Sequence, residues 1–396
     1  MPSKSDWILS LYKEYIDQKK HKPIFPSDWD TVNDKAAYPS SFIQNSLRIE
    51  TKQTLPYTFS DEQQEIKTMV LDHLPANNIC LNNLAVSISS TAAIYLTILS
   101  LWRQGVIRFL LFTPVYYSII ETLEDLGAEI YYYNLLDKDD FEIDVVTLQR
   151  MMTYHKIEAL VVTDPIYCVG KKIAPDILNE LVYTCNQNNS WFILDNTLGG
   201  MSWESLETEL FDRQQIDSTI KAEKYIIIDS LTKRMLINGL KHAIIISNDA
   251  FIEIVEDAAS QVYGGFCFPQ LQLMRELYDS RNKSDVTGLL QHNIQLIKDN
   301  YSLLTSFLKG SFFELYNANS GYYTMIKHKT YLCSEVNIEA QIKRYLYKFN
   351  SFLLPPWYFN FDDRNHFAIR VNLLKEPSLY LSALENCIRE NIELLH

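Results

Sequence analysis

Lys233 stands directly after the apolar run Tyr225-Ile226-Ile227-Ile228-Asp229 and two hydroxyl side chains, Ser230 and Thr232. A β-branched run with no polar alternation suits a strand covered on both faces, as in a parallel sheet. Lys233 then falls at the strand's carboxyl end, where open α/β sheets place their ligands. A second apolar run, Ala243-Ile244-Ile245-Ile246-Ser247, follows too soon for a parallel crossover. The two strands are therefore expected to pair antiparallel, with the lysine amine held in the turn between them.

Further candidates stand at other strand ends. Ser89, Ser90 and Thr91 meet a helix start, whose free N–H groups and dipole suit a phosphate. Pro114-Val115-Tyr116 offers an aromatic plate, and Asp164-Pro165 and Asp195-Asn196 offer acids. A phosphate cradle, a plate, an acid and an amine thus converge on one edge. Each also has a purely structural use: Ser90 or Thr91 as a helix cap, Asp195 as a turn residue, and Tyr116 as one core aromatic among 25 tyrosines.

The elements that must position these groups follow from periodicity. Strands are expected at Leu84 to Ser89, Phe109 to Phe112, Ala128 to Tyr133, Ala159 to Thr163 and Trp191 to Leu194. Helices are expected at Ser60 to Leu74, Ser90 to Trp102, Tyr117 to Leu126, Val145 to Thr153 and Pro175 to Gln187. Such alternation gives an α/β fold with a doubly wound, mostly parallel sheet. The pattern turns helical after Ser247, with a long helix from Thr287 to Leu308. Strands at Phe312 to Lys327 and Phe367 to Leu373, with helices near Ile338 to Tyr347 and from Leu379, then suggest a small α+β domain. A helix from Trp7 to Lys19 opens a polar, aromatic and proline-rich arm. The expected division is residues 1–48 as arm and part of the small domain, 49–300 as the large domain and 301–396 as the C-terminal small domain.

Hydrophobic residues at 47% and charged ones at 21% describe a globular chain. A formal net charge of −13 argues against general nucleic-acid binding, which wants a basic face. Six cysteines without a CxxC pair indicate neither a zinc site nor a disulfide framework. No apolar run approaches the ~18 residues that span a bilayer, and the first residues lack the apolar stretch of a signal peptide. A reduced, cytoplasmic protein is the expectation.

Around the lysine the sequence resembles the fold-type I enzymes that use pyridoxal 5′-phosphate, in particular the class I/II aminotransferases. Their signature is a serine, a variable residue, a serine or similar, the lysine, and an arginine eight residues on. This chain has Ser230-Leu231-Thr232-Lys233, then Gly239, with Lys241 in the arginine's place. The resemblance runs from about Tyr57 to the C-terminus. It implies that Lys233 forms the Schiff base with the cofactor, that Asp195 pairs with the pyridine nitrogen and that Tyr116 stacks on the ring. It places Ser90, Thr91, Ser230 and Lys241 on the phosphate, with Ser89, Asp164, Tyr167 and Thr232 also in the cofactor site. Tyr57 would be donated by one subunit of a homodimer to the other. Arg370, on the alternating strand Phe367-Ala368-Ile369-Arg370-Val371-Asn372-Leu373, would bind the substrate's α-carboxylate through its planar fork.

Three positions depart from the family pattern. Tyr167 replaces an asparagine, Leu198 a tyrosine, and Lys241 an arginine, a point charge instead of a fork. The first two would normally hydrogen-bond the cofactor's phenolic oxygen. The expected activity is aminotransferase-like, on an amino acid and a keto acid. The alternatives are elimination, replacement, cyclisation or decarboxylation with the same cofactor, and a non-catalytic ligand-binding homologue.

Overall fold

The computed structural model describes residues 4–27, 33–48, 60–74, 78–135, 141–204, 209–311, 313–328, 338–353 and 368–394. Tyr57 and Phe367 lie outside them.

Seven strands form the central sheet: β1 (Leu84–Ser87), β2 (Arg108–Thr113), β3 (Glu129–Asn134), β4 (Ala159–Thr163), β5 (Trp191–Asp195), β6 (Tyr225–Asp229) and β7 (Ala243–Ser247). Their spatial order is β1-β7-β6-β5-β4-β2-β3. All neighbours are parallel except β7, which runs antiparallel to both β6 and β1. The short connection after Lys233 therefore makes the antiparallel pair that its length requires. Since β1 opposes β7, it points the same way as β6, and the ends of β1, β2, β4, β5 and β6 open on one edge.

Alternate side chains of these strands feed two different cores, which is why the strands read as unbroken apolar runs. Leu110, Leu160, Leu194, Ile227, Ile244 and Ile246 join one core. Phe109, Leu111, Val161, Ile193, Ile226, Ile228 and Ile245 join the other. The first is covered by α3 (Ser60–Leu71), α6 (Val145–His155), α7 (Pro175–Gln187) and α11 (Phe268–Tyr278). The second is covered by α4 (Ser90–Arg103), α5 (Tyr117–Asp125) and α10 (Asp249–Val262). Truncating a fully buried centre such as Ile227 to Ala removes apolar contact on a closed face and costs about 2–5 kcal/mol.

A second, antiparallel sheet has the order β10-β9-β8, from β8 (Phe313–Leu315), β9 (Tyr323–His328) and β10 (Ala368–Asn372). The long α12 (Lys283–Leu308), α13 (Ile338–Phe349) and α14 (Pro377–Leu394) accompany it. The N-terminal segment after α1 (Lys4–Lys19) is stitched to this region: Ile24 pairs with Ser351, and Asn372 N–H donates to Pro26 O at 2.9 Å.

Two short helices were not expected, α2 (Ser40–Ser46) and α8 (Arg213–Thr219). Each spans 7 residues, too few for a helical period to stand out. Between β6 and β7 the turn is one helical turn, α9 (Leu231–Arg234), capped by Ser230, whose hydroxyl accepts from Thr232 N–H.

Candidate active site

The strand ends meet in one cleft of about 330 Å³. Of the residues singled out in the sequence, Ser89, Ser90, Thr91, Tyr116, Tyr167, Asp195, Thr232, Lys233 and Lys241 line it. They reach it from six separate places in the chain, five at or just beyond the carboxyl end of a central strand and the sixth, Lys241, just before the antiparallel β7 begins.

Ser89 caps α4, its Oγ accepting from Ala92 N–H at 3.0 Å. Ser90 and Thr91, the first residues of α4, line the cleft, and a helix start is suited to an anion. Lys241 adds a cation, and Gln270 fixes it in place by donating to both Lys241 O and Ile88 O. One side chain thus ties β7's approach to β1's exit. Thr91 Oγ1 lies 3.4 Å from the Tyr116 hydroxyl, which links this cradle to the aromatic wall. The Tyr116 ring stands edge-on to Tyr167, with centroids 5.9 Å apart.

Asp195 ends β5 and is almost fully buried. Burial pushes its carboxyl pKa up, opposed by hydrogen bonds that it accepts from the backbone N–H and the hydroxyl of Thr197. On the neighbouring strand, in register with Asp195, the buried Thr163 Oγ1 has no hydrogen-bond partner and also lines the cleft. Lys233 is half-buried, and its pKa falls to about 8, first through desolvation and then through the charges of Lys241 and Arg370. A larger fraction of its amine is therefore uncharged near neutral pH than for an ordinary lysine, and the uncharged form is the one that attacks an aldehyde.

Ser230, Asp164 and Arg370 lie behind the lining. Ser230 donates to His242 O at 2.5 Å and is fully buried. Asp164 accepts from Ile173 N–H at 2.7 Å and from Gln215 Nε2, closing the loop that carries Tyr167; burial is the main cause that pushes its carboxyl up to about 7. That loop ends at Gly170, whose φ of +78° and close approach leave no room for a Cβ, which would sit 2.3 Å from Tyr323 O.

Arg370 departs from the expectation of an arm held out for a ligand. It is fully buried: Nη1 donates to the Tyr167 hydroxyl at 3.3 Å and faces Cys168 Sγ at 3.7 Å, Nη2 donates to Ser27 O, and the guanidinium lies 4.4 Å from the Tyr323 ring centre. The face of β10 opposite Ile369 and Val371 is covered by residues 26–27 and the Tyr167 loop, so alternation did not mean exposure.

Ile94, Tyr117, Thr163, Thr197, Leu198, Asn238, Tyr322 and Tyr323 also line the cleft. Thr163 and Thr197 sit beside the acids already marked at strand ends and were within reach of the same reasoning. Tyr323 opens β9 of the second sheet and Tyr322 immediately precedes it, and nothing local in the sequence joins them to Lys233.

The donor set fits pyridoxal phosphate: an amine of lowered pKa, a buried carboxylate, an aromatic wall, and hydroxyls and amides at a helix start beside Lys241. Among the described residues no cluster of His, Cys, Asp and Glu could hold a metal ion, and no helix is long and apolar enough to cross a membrane.

No curated protein matches the sequence. Among solved structures, the chain is similar to a double mutant of aspartate aminotransferase from Thermus thermophilus, at TM-score 0.81 and 14% identity over 98% of this chain and 97% of that one. It is similar to alanine aminotransferase from Pyrococcus furiosus, at TM-score 0.80 and 13% identity over 98% and 96%. A C-S lyase from Staphylococcus hominis in its pyridoxal-phosphate-bound form gives TM-score 0.73 and 16% identity over 89% and 85%. These likenesses establish the fold. The family model for aminotransferase class I and II matches residues 50–373, so the chain belongs to that family of pyridoxal-phosphate-dependent enzymes acting on amino acids.

Proposed function

We propose that the protein is an aminotransferase that moves the amino group of an amino acid to a keto acid, with Lys233 as its catalytic residue. The observation that carries this reading is the pairing, in one cleft, of the lowered-pKa Lys233 amine with the buried Asp195 carboxylate. When bound, pyridoxal phosphate supplies an aldehyde for the substrate amine and a ring that draws electrons away from the substrate's Cα.

The chain's own groups do the rest. Lys233 would anchor the cofactor and, as an amine of lowered pKa, would take the proton from the substrate Cα and return it on the cofactor side. Asp195, held by Thr197, would keep the ring nitrogen protonated. Ser89, Ser90, Thr91 and Lys241 would hold the phosphate, and Tyr116 would stack on the ring. Arg370, whose Nη1 donates to the hydroxyl of the cleft-lining Tyr167, would receive the substrate carboxylate when that hydroxyl gives way. The enzyme works as a homodimer, with Tyr57 of one subunit reaching the partner's phosphate; light scattering showing the mass of a single chain at full activity contradicts that part.

One observation favours a second reading, an elimination catalyst: Leu198 places an apolar group in the cleft where the family pattern has a tyrosine. The two readings separate in one assay. The loaded enzyme is given an amino acid and a keto acid, and products are followed. Amino transfer without ammonia supports the proposal, whereas stoichiometric ammonia with no new amino acid supports elimination.

A further inference from the structure

Resting on the reading of this cleft as an amino-acid site, we infer that the substrate carries a large uncharged side chain, aromatic or branched aliphatic, received by Leu198, Tyr322 and Tyr323. Leu198, three residues past the end of β5, and Tyr322 and Tyr323, at the start of β9, share the core that underlies the second sheet. Tyr322 and Tyr323 pack with ring centroids 4.5 Å apart, and Leu198 lies against Gly321 beside them. Together they bring two aromatic rings and a branched apolar chain to the lining of the cleft.

Charge points the same way. Among the described residues that line the cleft, the charged side chains are Asp195, Lys233 and Lys241, and each has a task toward the cofactor. Arg370 stands behind Tyr323, its guanidinium against that ring, and is allotted to the α-carboxylate. Among the described residues that line the cleft, a second carboxylate on the substrate would find no further cation, and a basic side chain no further anion. A ring or a branched chain gains by leaving water against the same wall.

The experiment titrates the pyridoxal-phosphate-loaded full-length protein with two unreactive carboxylic acids, 3-phenylpropionate and succinate, by calorimetry. 3-Phenylpropionate is expected to bind about tenfold or more tighter than succinate. Succinate binding as tightly or more tightly overturns the inference. Leu198→Ala is expected to weaken 3-phenylpropionate by about three- to tenfold and to leave succinate unchanged. An equal loss for both acids contradicts the assignment of Leu198. Because neither acid reacts, the result is independent of whether amino transfer occurs. Phenylpropionate selectivity without amino transfer counts against the proposed reaction alone, and amino transfer from aspartate in preference to phenylalanine counts against this inference alone.

Discussion

Arg370 donates from Nη1 to the phenolic oxygen of Tyr167 at 3.3 Å, so the strand that bears the carboxylate-binding candidate is tied to the loop that enters the cofactor cleft. The same guanidinium reaches Ser27 O, and Ser27 Oγ donates back to Arg370 O. One side chain therefore joins the N-terminal segment, the second sheet and the cleft wall.

From this burial a double effect is expected of Arg370→Ala. kcat/KM for an α-amino acid falls by about 30-fold to several thousand-fold, because a charge-assisted contact is lost. Stability also falls, by about 1–3 kcal/mol, because the Ser27 carbonyl loses its buried donor. Steady-state kinetics and thermal melting check both. Unchanged melting would show that the clamp on Ser27 is not maintained in solution, and unchanged kinetics would remove Arg370 from substrate binding.

Asp195→Ala is expected to retain cofactor binding through the phosphate cradle and to lower kcat by about a hundredfold or more. The reason is that the buried carboxylate, held by Thr197, is the charge proposed to pair with the ring nitrogen. Absorbance of the loaded variant and initial rates measure the two separately. Near wild-type turnover would refute the assignment.

The Lys233 amine has a pKa of about 8 against an ordinary 10.5. Below that value it is protonated and inert toward an aldehyde, and above it the free amine dominates. Capture of pyridoxal phosphate by cofactor-free protein is thus expected to speed up through pH 8 and then level off. Between about 8 and 10.5 the unfolded chain binds more protons at this site than the folded one, so this group's contribution to stability rises with pH over that window. Stopped-flow absorbance supplies the rate profile; a midpoint near 10 would mean that the amine is not desolvated.

Asp229, at the end of β6, is fully buried against the equally buried Arg234 and accepts from Asn196 Nδ2 at 2.6 Å. Asp229→Ala leaves an uncompensated buried charge and is expected to cost about 3–5 kcal/mol. Chemical denaturation of the cofactor-free protein gives the figure, and a loss below 1 kcal/mol would place the pair in solvent.

The strands and the edge on which they open were legible because a strand buried on both faces writes its whole length in apolar residues, as Ile226 to Ile228 and Ile244 to Ile246 do. The groups beyond those ends could be read one by one for the same reason. What remained hidden depends on contacts distant in sequence. Arg370 is covered by Ser27, 343 positions away, so period-two alternation could give its direction and not its burial. Tyr322 and Tyr323 enter the cleft only because the second sheet docks there. Ser230 looked like a ligand hydroxyl, but its proton goes to His242 O across the β6–β7 turn, a pairing that appears once the register of that turn is known.

The central claim is that Lys233 is the residue that takes the cofactor. Protein incubated with pyridoxal phosphate, reduced with borohydride and digested is expected to yield one peptide bearing the cofactor's mass, with fragmentation placing it on Lys233. Attachment at Lys241, or no attached cofactor in a folded sample, would contradict the account.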